Sequence, residues 1–128
     1  MKVLLDTCTF LWLAIDSPRL SRLAREVFAD PENELLLSAV SGWEIAVKHA
    51  AGRLPLPEPP ERLLPNCRRL FGLAPLPLEE EAALYVARLP HHHNDPFDRM
   101  LICQSIVHGL AILSPDPLLA KYSARLIW

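Results

Sequence analysis

Three short apolar runs, "KVLLD", "ELLLSA" and "LAILS", constrain the fold of this chain more than any other feature. Each is apolar throughout rather than alternating, as expected of a strand buried on both faces. Between them lie segments of helical length. "TFLWLAI" is one, and "SRLAREVFAD" is another, with Leu23, Val27 and Phe28 on one face and arginines on the other. "GWEIAVKHAAG" is a third, closed by Gly52 as its C-cap. "EEEAALYVARL" carries its acids in the first turn, where the helix dipole favours them, and "DRMLICQSIVHG" again ends on glycine. The proline-rich "RLPLPEPPERLLPNCRRLFG" predicts an irregular connection and one short helix beginning near Pro60. "LAPLPL" reads as a weak strand that its two prolines confine to an edge, "DPLLAKY" as a short helical turn, and "RLIW" as a last strand. Strands separated by helices predict an α/β fold with a mainly parallel sheet covered on both faces.

A length of 128 residues fits a single domain spanning 1–128, long enough to bury a core without covalent staples. No uncharged apolar run approaches the roughly 18–20 residues of a membrane span, and Asp6 interrupts any apolar leader segment. Cys8, Cys67 and Cys103 form an odd set without paired spacing, which predicts reduced, buried thiols in a cytoplasmic protein. The formal charge of −2 is not that of a typical nucleic-acid binder, although a bound divalent cation can supply the missing positive charge.

The acids carry the functional signal. In open parallel sheets, sites form outside the carboxyl ends of the strands, near the point where strand order reverses. Asp6 directly follows the first strand, Asp116 follows "LAILS" by two residues, Glu44 lies early in the helix after the second strand, and Asp98 starts the helix feeding "LAILS". All four are therefore expected at one end of the sheet. Oxygen-rich clusters of this kind suit hard cations such as Mg²⁺ or Mn²⁺. Each acid also has a structural reading. Asp6 could simply end a strand, and "SGWE" matches a capping box with Ser41 as N-cap and Glu44 reaching back. Asp116 and Asp95 each precede proline, the pattern of an N-cap followed by proline at the first helical position. If Asp95 caps its helix, Asp98 falls at the third position with no capping duty, which favours Asp98 as the site acid. Thr7 and Ser114, hydroxyls beside the outer acids, join Asp95 as candidates for outer-shell or capping contacts.

"HHHNDPFDRM" invites a histidine metal site, but consecutive side chains point in different directions and do not converge. His91, His92 and His93 are expected in a solvated loop. His49 and His108 fall near helix C-termini, where imidazole suits the dipole. Trp12, Trp43 and Trp128 read as core or interface residues. Arg99 could pair with a carboxylate or contact a phosphate.

"LLDT", "SAVSGWEIAVKHAAGRLPLP", "HHHNDPFDRMLICQS" and "GLAILSPD" together resemble the PIN-domain ribonucleases of bacterial toxin–antitoxin systems, the VapC-type toxins. "WEIAVK" and "DPFDR" are the specific segments, and the resemblance runs to the final "LIW". It implies a three-layer α/β/α fold, Mg²⁺- or Mn²⁺-dependent cleavage of RNA, neutralisation by a small cognate antitoxin protein, and a homodimer. It carries the family's acids onto Asp6, Glu44, Asp98 and Asp116, with Asp6 and Asp98 holding the metal directly and the other two directly or through water. The implied products bear a 5′ phosphate and a 3′ hydroxyl. Two departures stand out: Cys8 replaces a histidine or asparagine frequent in relatives, and Ser114-Pro115-Asp116 replaces a frequent Thr-x-Asp. Neither removes a ligand.

Two other classes compete. A phosphatase of the haloacid dehalogenase type needs a second acid two residues after the first, where this chain has Cys8. A catalytically inactive PIN-like protein-binding module is the remaining alternative, against which the presence of all four acids argues.

Overall fold

The computed structural model describes residues 1–128. Strand β1 (Lys2–Leu5) leads into helices α1 (Thr7–Ala14) and α2 (Arg22–Ala29), then strand β2 (Glu34–Ser38) and helices α3 (Ala39–Ala50) and α4 (Pro60–Phe71). Strand β3 (Ala74–Leu76) follows, then α5 (Glu80–Tyr85), α6 (Pro96–His108), β4 (Ala111–Leu113) and β5 (Leu126–Ile127). Two 3₁₀ turns, Val86–Arg88 and Leu119–Lys121, complete the chain. The strands form one sheet in the order β3-β2-β1-β4-β5. Every pairing in it is parallel, so the expected mainly parallel sheet is parallel throughout.

Both faces of the sheet are dry, and the side-chain alternation of a strand divides the core accordingly. Val3 and Leu5 of β1, with Leu35 and Leu37 of β2, pack against Phe10 of α1, Ala24 and Val27 of α2, Ile45 of α3 and Leu63 of α4. Leu4, Leu36 and Ile112 point the other way, onto Val40 at the start of α3 and Leu101, Ile102 and Cys103 of α6. The result is the three-layer α/β/α arrangement. After β1, β2 and β3 the chain crosses back to place β4 on the other side of β1. The order of strands therefore reverses between β1 and β4, the location at which parallel sheets open a crevice beyond their carboxyl ends.

Local signals placed most elements. β3 is an edge strand with Pro75 inside it, as its prolines required. α4 begins at Pro60 but runs 12 residues, through Pro65, rather than forming a short helix. Its apolar face buries Leu63 and Cys67, and the Arg68 guanidinium donates to the carbonyls of Leu37 (3.1 Å) and Ala74 (3.3 Å), so tertiary contacts carry the helix past the proline. Gly52 lies one residue beyond the α3 cap with φ +71. Cys67 and Cys103 are buried thiols as expected, but Cys8 is exposed. It lies on α1 just beyond Asp6, with the helix turned so that Thr7, Thr9 and Phe10 face inward.

Gly109 ends α6 in the left-handed conformation (φ 66, ψ 40) and turns the chain into β4. A methyl group there would meet no neighbour within 4 Å, so the only penalty of Gly109→Ala is backbone strain. Gly109→Ala is expected to lower the free energy of unfolding by about 1–2 kcal/mol, read from the midpoint of urea denaturation at unchanged slope. An unchanged midpoint would contradict this account of the α6–β4 turn.

Candidate active site

Asp6 is the first residue past β1 and is almost fully buried, at 4% exposure. It also N-caps α1, its Oδ1 accepting the Thr9 backbone N–H at 2.7 Å. Its Oδ2 accepts the Ser114 hydroxyl at 2.5 Å, and Ser114 Oγ in turn accepts the Asp116 N–H at 3.1 Å. The Thr9 hydroxyl donates to the Leu113 carbonyl at 2.9 Å. These bonds tie the ends of β1 and β4 together. Burial raises the Asp6 pKa, the hydrogen bonds from Ser114 and Thr9 oppose the rise, and the charge of Asp116 adds to it.

Glu44 comes from α3. Ser38, the last residue of β2, is itself the N-cap of α3, its Oγ accepting the Val40 N–H at 3.0 Å. The helix therefore starts three residues earlier than a Ser41 cap would place it. Ser41 lies inside it, its Oγ accepting the Thr7 hydroxyl at 2.9 Å, and Glu44 sits in the second turn with no capping role. The capping-box reading of Glu44 is thus overturned. Glu44 is buried at 6% exposure; its Oε2 pairs with the Lys48 ammonium one turn on, while its Oε1 has no hydrogen-bond partner. Lys48 also lies 5.8 Å from the centre of the Phe97 ring, and Trp43 packs edge-on against that ring at 4.8 Å. This contact joins α3 to the start of α6.

On α6 the capping role falls to Asp95, as its place before proline predicts. Asp95 is the N-cap, its Oδ1 accepting the N–H groups of Phe97 (2.9 Å) and Asp98 (3.2 Å), with Pro96 at the first helical position. Asp98 makes no capping bond with its carboxylate. Its pKa is pushed up to about 7, first by burial and then by the charges of Asp95, Glu44, Asp6 and Asp116. Asp98 thus senses the other three site acids, contributed by β1, α3 and the β4 exit. Asp116 is partly exposed, and its Oδ1 accepts the Leu118 N–H at 2.9 Å in an Asx turn rather than at a helix cap.

The four acids gather, but no three acidic, imidazole or thiol side chains are drawn to one ligand-distance point. A cavity of about 180 Å³ has Thr7, Cys8, Trp12, Glu44 and Lys48 among its walls, so Glu44 alone of the four acids lines it. The two largest depressions, of about 320 and 520 Å³, lie elsewhere: one by Met1, Lys2 and Gly109, one by Leu84, Arg88 and Val107. Neither contains any of the four site acids.

Two expectations for the loop before α6 change. His91 and His92 are exposed, but His93 is not solvated: its side chain is only 9% exposed and its Nε2 lies 3.5 Å from Asp98 Oδ2. Arg99 reaches no carboxylate; its guanidinium donates to the Pro90 carbonyl (2.9 Å), the Tyr122 hydroxyl (3.1 Å) and the Leu89 carbonyl (3.5 Å). It fastens the loop instead. His49 Nδ1 donates to the Leu54 carbonyl (2.9 Å) near the end of α3, and Trp12 packs on Trp128 at 5.8 Å. The role of Lys48 was readable in advance from its spacing four residues after Glu44, and that of Thr9 from its spacing three residues after Asp6.

Residues 3–124 match the PIN domain family. The chain belongs to the PIN-domain family. A stretch of 55 residues is 42% identical to Ribonuclease VapC16 of Mycobacterium tuberculosis. That match spans 43% of this chain and 39% of the relative's length. The PIN fold itself is shared over full length with solved structures. VapBC2 from Rickettsia felis, bound to a DNA fragment from its promoter, aligns with TM-score 0.76 and 13% identity over 100% of this chain and 99% of that one. DNA-bound VapBC from Salmonella typhimurium aligns with TM-score 0.70 and 18% identity over 99% and 97%.

In this PIN domain the unfolded Asp98 carboxyl has its ordinary pKa near 3.8, against about 7 when folded. Between those values the folded protein keeps a proton that the unfolded chain releases. The Asp98 contribution to metal-free stability is therefore full at the lower pH and is lost as pH rises toward 7. Asp98→Asn should gain stability relative to wild type between about pH 4 and pH 7, followed by denaturation midpoints in the presence of a chelator. Parallel pH curves for the two proteins would contradict the burial assigned to Asp98.

Proposed function

We propose that this PIN-domain protein is a cytoplasmic, Mg²⁺- or Mn²⁺-dependent endoribonuclease, the toxin of a VapC-type pair, and that Asp6, Glu44, Asp98 and Asp116 are its site. The observation that carries the reading is the unpartnered, buried Glu44 Oε1 beside an Asp98 whose carboxyl is held near 7 by burial and neighbouring acids. Stability alone gives no reason to gather such groups, whereas a hard cation would satisfy them. Mg²⁺ takes only one or two protein carboxylates directly and keeps several waters.

Asp6 and Asp98 would hold the cation directly, with Glu44 and Asp116 binding directly or through water. When bound, the cation neutralises charge on the scissile phosphate and acidifies a water for in-line attack. The chain's own residues prepare that site. Thr9 and Ser114 fix both oxygens of Asp6, Lys48 holds Glu44 Oε2 and leaves Oε1 free, and the Asx turn holds Asp116 by one oxygen. Cleavage with departure of the 3′ oxygen leaves a 5′ phosphate and a 3′ hydroxyl. Arg99, engaged by backbone carbonyls, has no part as a phosphate contact in this proposal.

The partners proposed are RNA as substrate, a cognate antitoxin protein and a second copy of this chain. The solved neighbours are VapBC complexes, which supports the antitoxin as a partner. No helix is long and apolar enough to cross a membrane.

The test compares Asp98→Asn with Asp95→Asn on total RNA in Mn²⁺ or Mg²⁺. Asp98→Asn should lose more than the ~10–100-fold that loss of an outer partner costs. Asp95→Asn remains a competent cap and should keep both its melting temperature and most of its cleavage. Undiminished cleavage by Asp98→Asn would remove it from the site, and a wild type that binds antitoxin but cuts no RNA would establish the inactive binding module instead.

A further inference from the structure

Tyr122 is the hub of a hydrogen-bond network that ends on Asp98. Its phenolic oxygen receives three N–H donors: the backbone of His92 (3.3 Å), the backbone of His93 (3.3 Å) and Arg99 Nη1 (3.1 Å). The His93 Nδ1 lies 2.7 Å from the same oxygen. A phenol oxygen already taking that many donors has no acceptor capacity left for a fourth, and it has one proton of its own to give. The geometry therefore directs the Tyr122 O–H to His93 Nδ1, making Nδ1 an acceptor. In the neutral imidazole the proton then sits on Nε2.

That Nε2–H is buried and without a hydrogen-bond partner, and the nearest acceptor is Asp98 Oδ2 at 3.5 Å. The separation is longer than a formed bond, and a shift of a few tenths of an ångström by the Asp98 carboxylate closes it. Two further features hold the donor in place. The Tyr122 ring packs against both His92 (4.8 Å) and His93 (5.4 Å), and Arg99 clamps the Leu89 and Pro90 carbonyls that start the loop. The side chain of Tyr122 is itself buried on the α6 face of the sheet.

We propose that His93 is a positioning residue for Asp98: Tyr122 sets its tautomer, and its Nε2–H engages Oδ2 so that the other Asp98 oxygen is turned toward the cation. The inference rests on the metal reading of the acids given above. It separates His93 from His91 and His92, which are exposed and have no such contact. Outer partners that orient ligating carboxylates and imidazoles typically change metal affinity by ~10–100-fold when removed.

Two measurements on the purified chain test it. The first is the imidazole ¹⁵N spectrum of the metal-free protein at about pH 8, where neutral histidine reveals its tautomer. His93 should show a protonated Nε2 and an accepting Nδ1, and Tyr122→Phe should weaken that preference. The opposite tautomer in wild type would overturn the proposal. The second is calorimetric titration with Mn²⁺. His93→Ala should bind about tenfold or more weakly, His93→Gln, whose carboxamide N–H reaches about as far as Nε2, should recover to within about threefold, and His91→Ala should match wild type. Equal affinity of wild type and a folded His93→Ala overturns the proposal, as does a His93→Gln no better than alanine. Absence of Mn²⁺ binding by wild type overturns the metal reading itself, and the tautomer spectrum then still decides whether Tyr122 and His93 are arranged as stated.

Discussion

Asp6, Glu44, Asp98 and Asp116 come from four separate stretches of chain, and their mutual repulsion in a partly dried space must be opposed by the rest of the molecule. Burial and like charge raise the pKa of Asp6 and Asp98, so these groups weaken the metal-free fold rather than support it. What opposes them is a sheet with apolar layers on both faces, in which β1 lies between β2 and β4 and cannot shift without disturbing both. The donors near the acids are few and local. Thr9 and Ser114 hold Asp6, Lys48 holds Glu44, and backbone amides hold Asp95 and Asp116. Asp98 alone lacks a formed partner, and burial with the neighbouring acids pushes its carboxyl up to about 7.

The same constraint explains why the crevice sits where it does. Reversal of strand order between β1 and β4 leaves space beyond their carboxyl ends, and the residues that leave those strands are Asp6 and Ser114. Ser38 contributes from β2 by ending the strand and starting α3 without an intervening loop, which brings Glu44 in on the second helical turn. Its hydroxyl is also bonded to Gln104 Oε1 of α6 at 2.6 Å, so the two helices that supply Glu44 and Asp98 are pinned through a single buried serine. The fold sets the separation of the acids before any ligand arrives.

Much of this was readable from local pattern. Uniformly apolar runs marked β1, β2 and β4, and Asp-Pro spacing separated the capping Asp95 from the free Asp98. What misled was ambiguity at short range. Ser38 and Ser41 are both competent caps, and only the sheet pairing of Ser38 with Leu76 decides between them. The burial of His93 depends on Tyr122, 29 residues further on, and nothing within "HHHNDPFDRM" signals it. The charge of Arg99 suits an anion as well as a carbonyl, and only the fold brings the carbonyls of its own preceding loop within reach. Cys8 is exposed although thiols are commonly buried, because the turn of α1 after Asp6 faces Thr7, Thr9 and Phe10 inward.

The account stands on the four carboxylates acting together on one kind of cation, and anomalous diffraction from crystals grown or soaked with Mn²⁺ tests that most directly. The account predicts an anomalous peak at the carboxyl ends of β1 and β4, within about 2.0–2.5 Å of oxygens from both Asp6 and Asp98, with Glu44 and Asp116 at direct or water-bridged distance. A peak held by the His91 and His92 imidazoles instead, or no peak among the acids at saturating Mn²⁺, would contradict it.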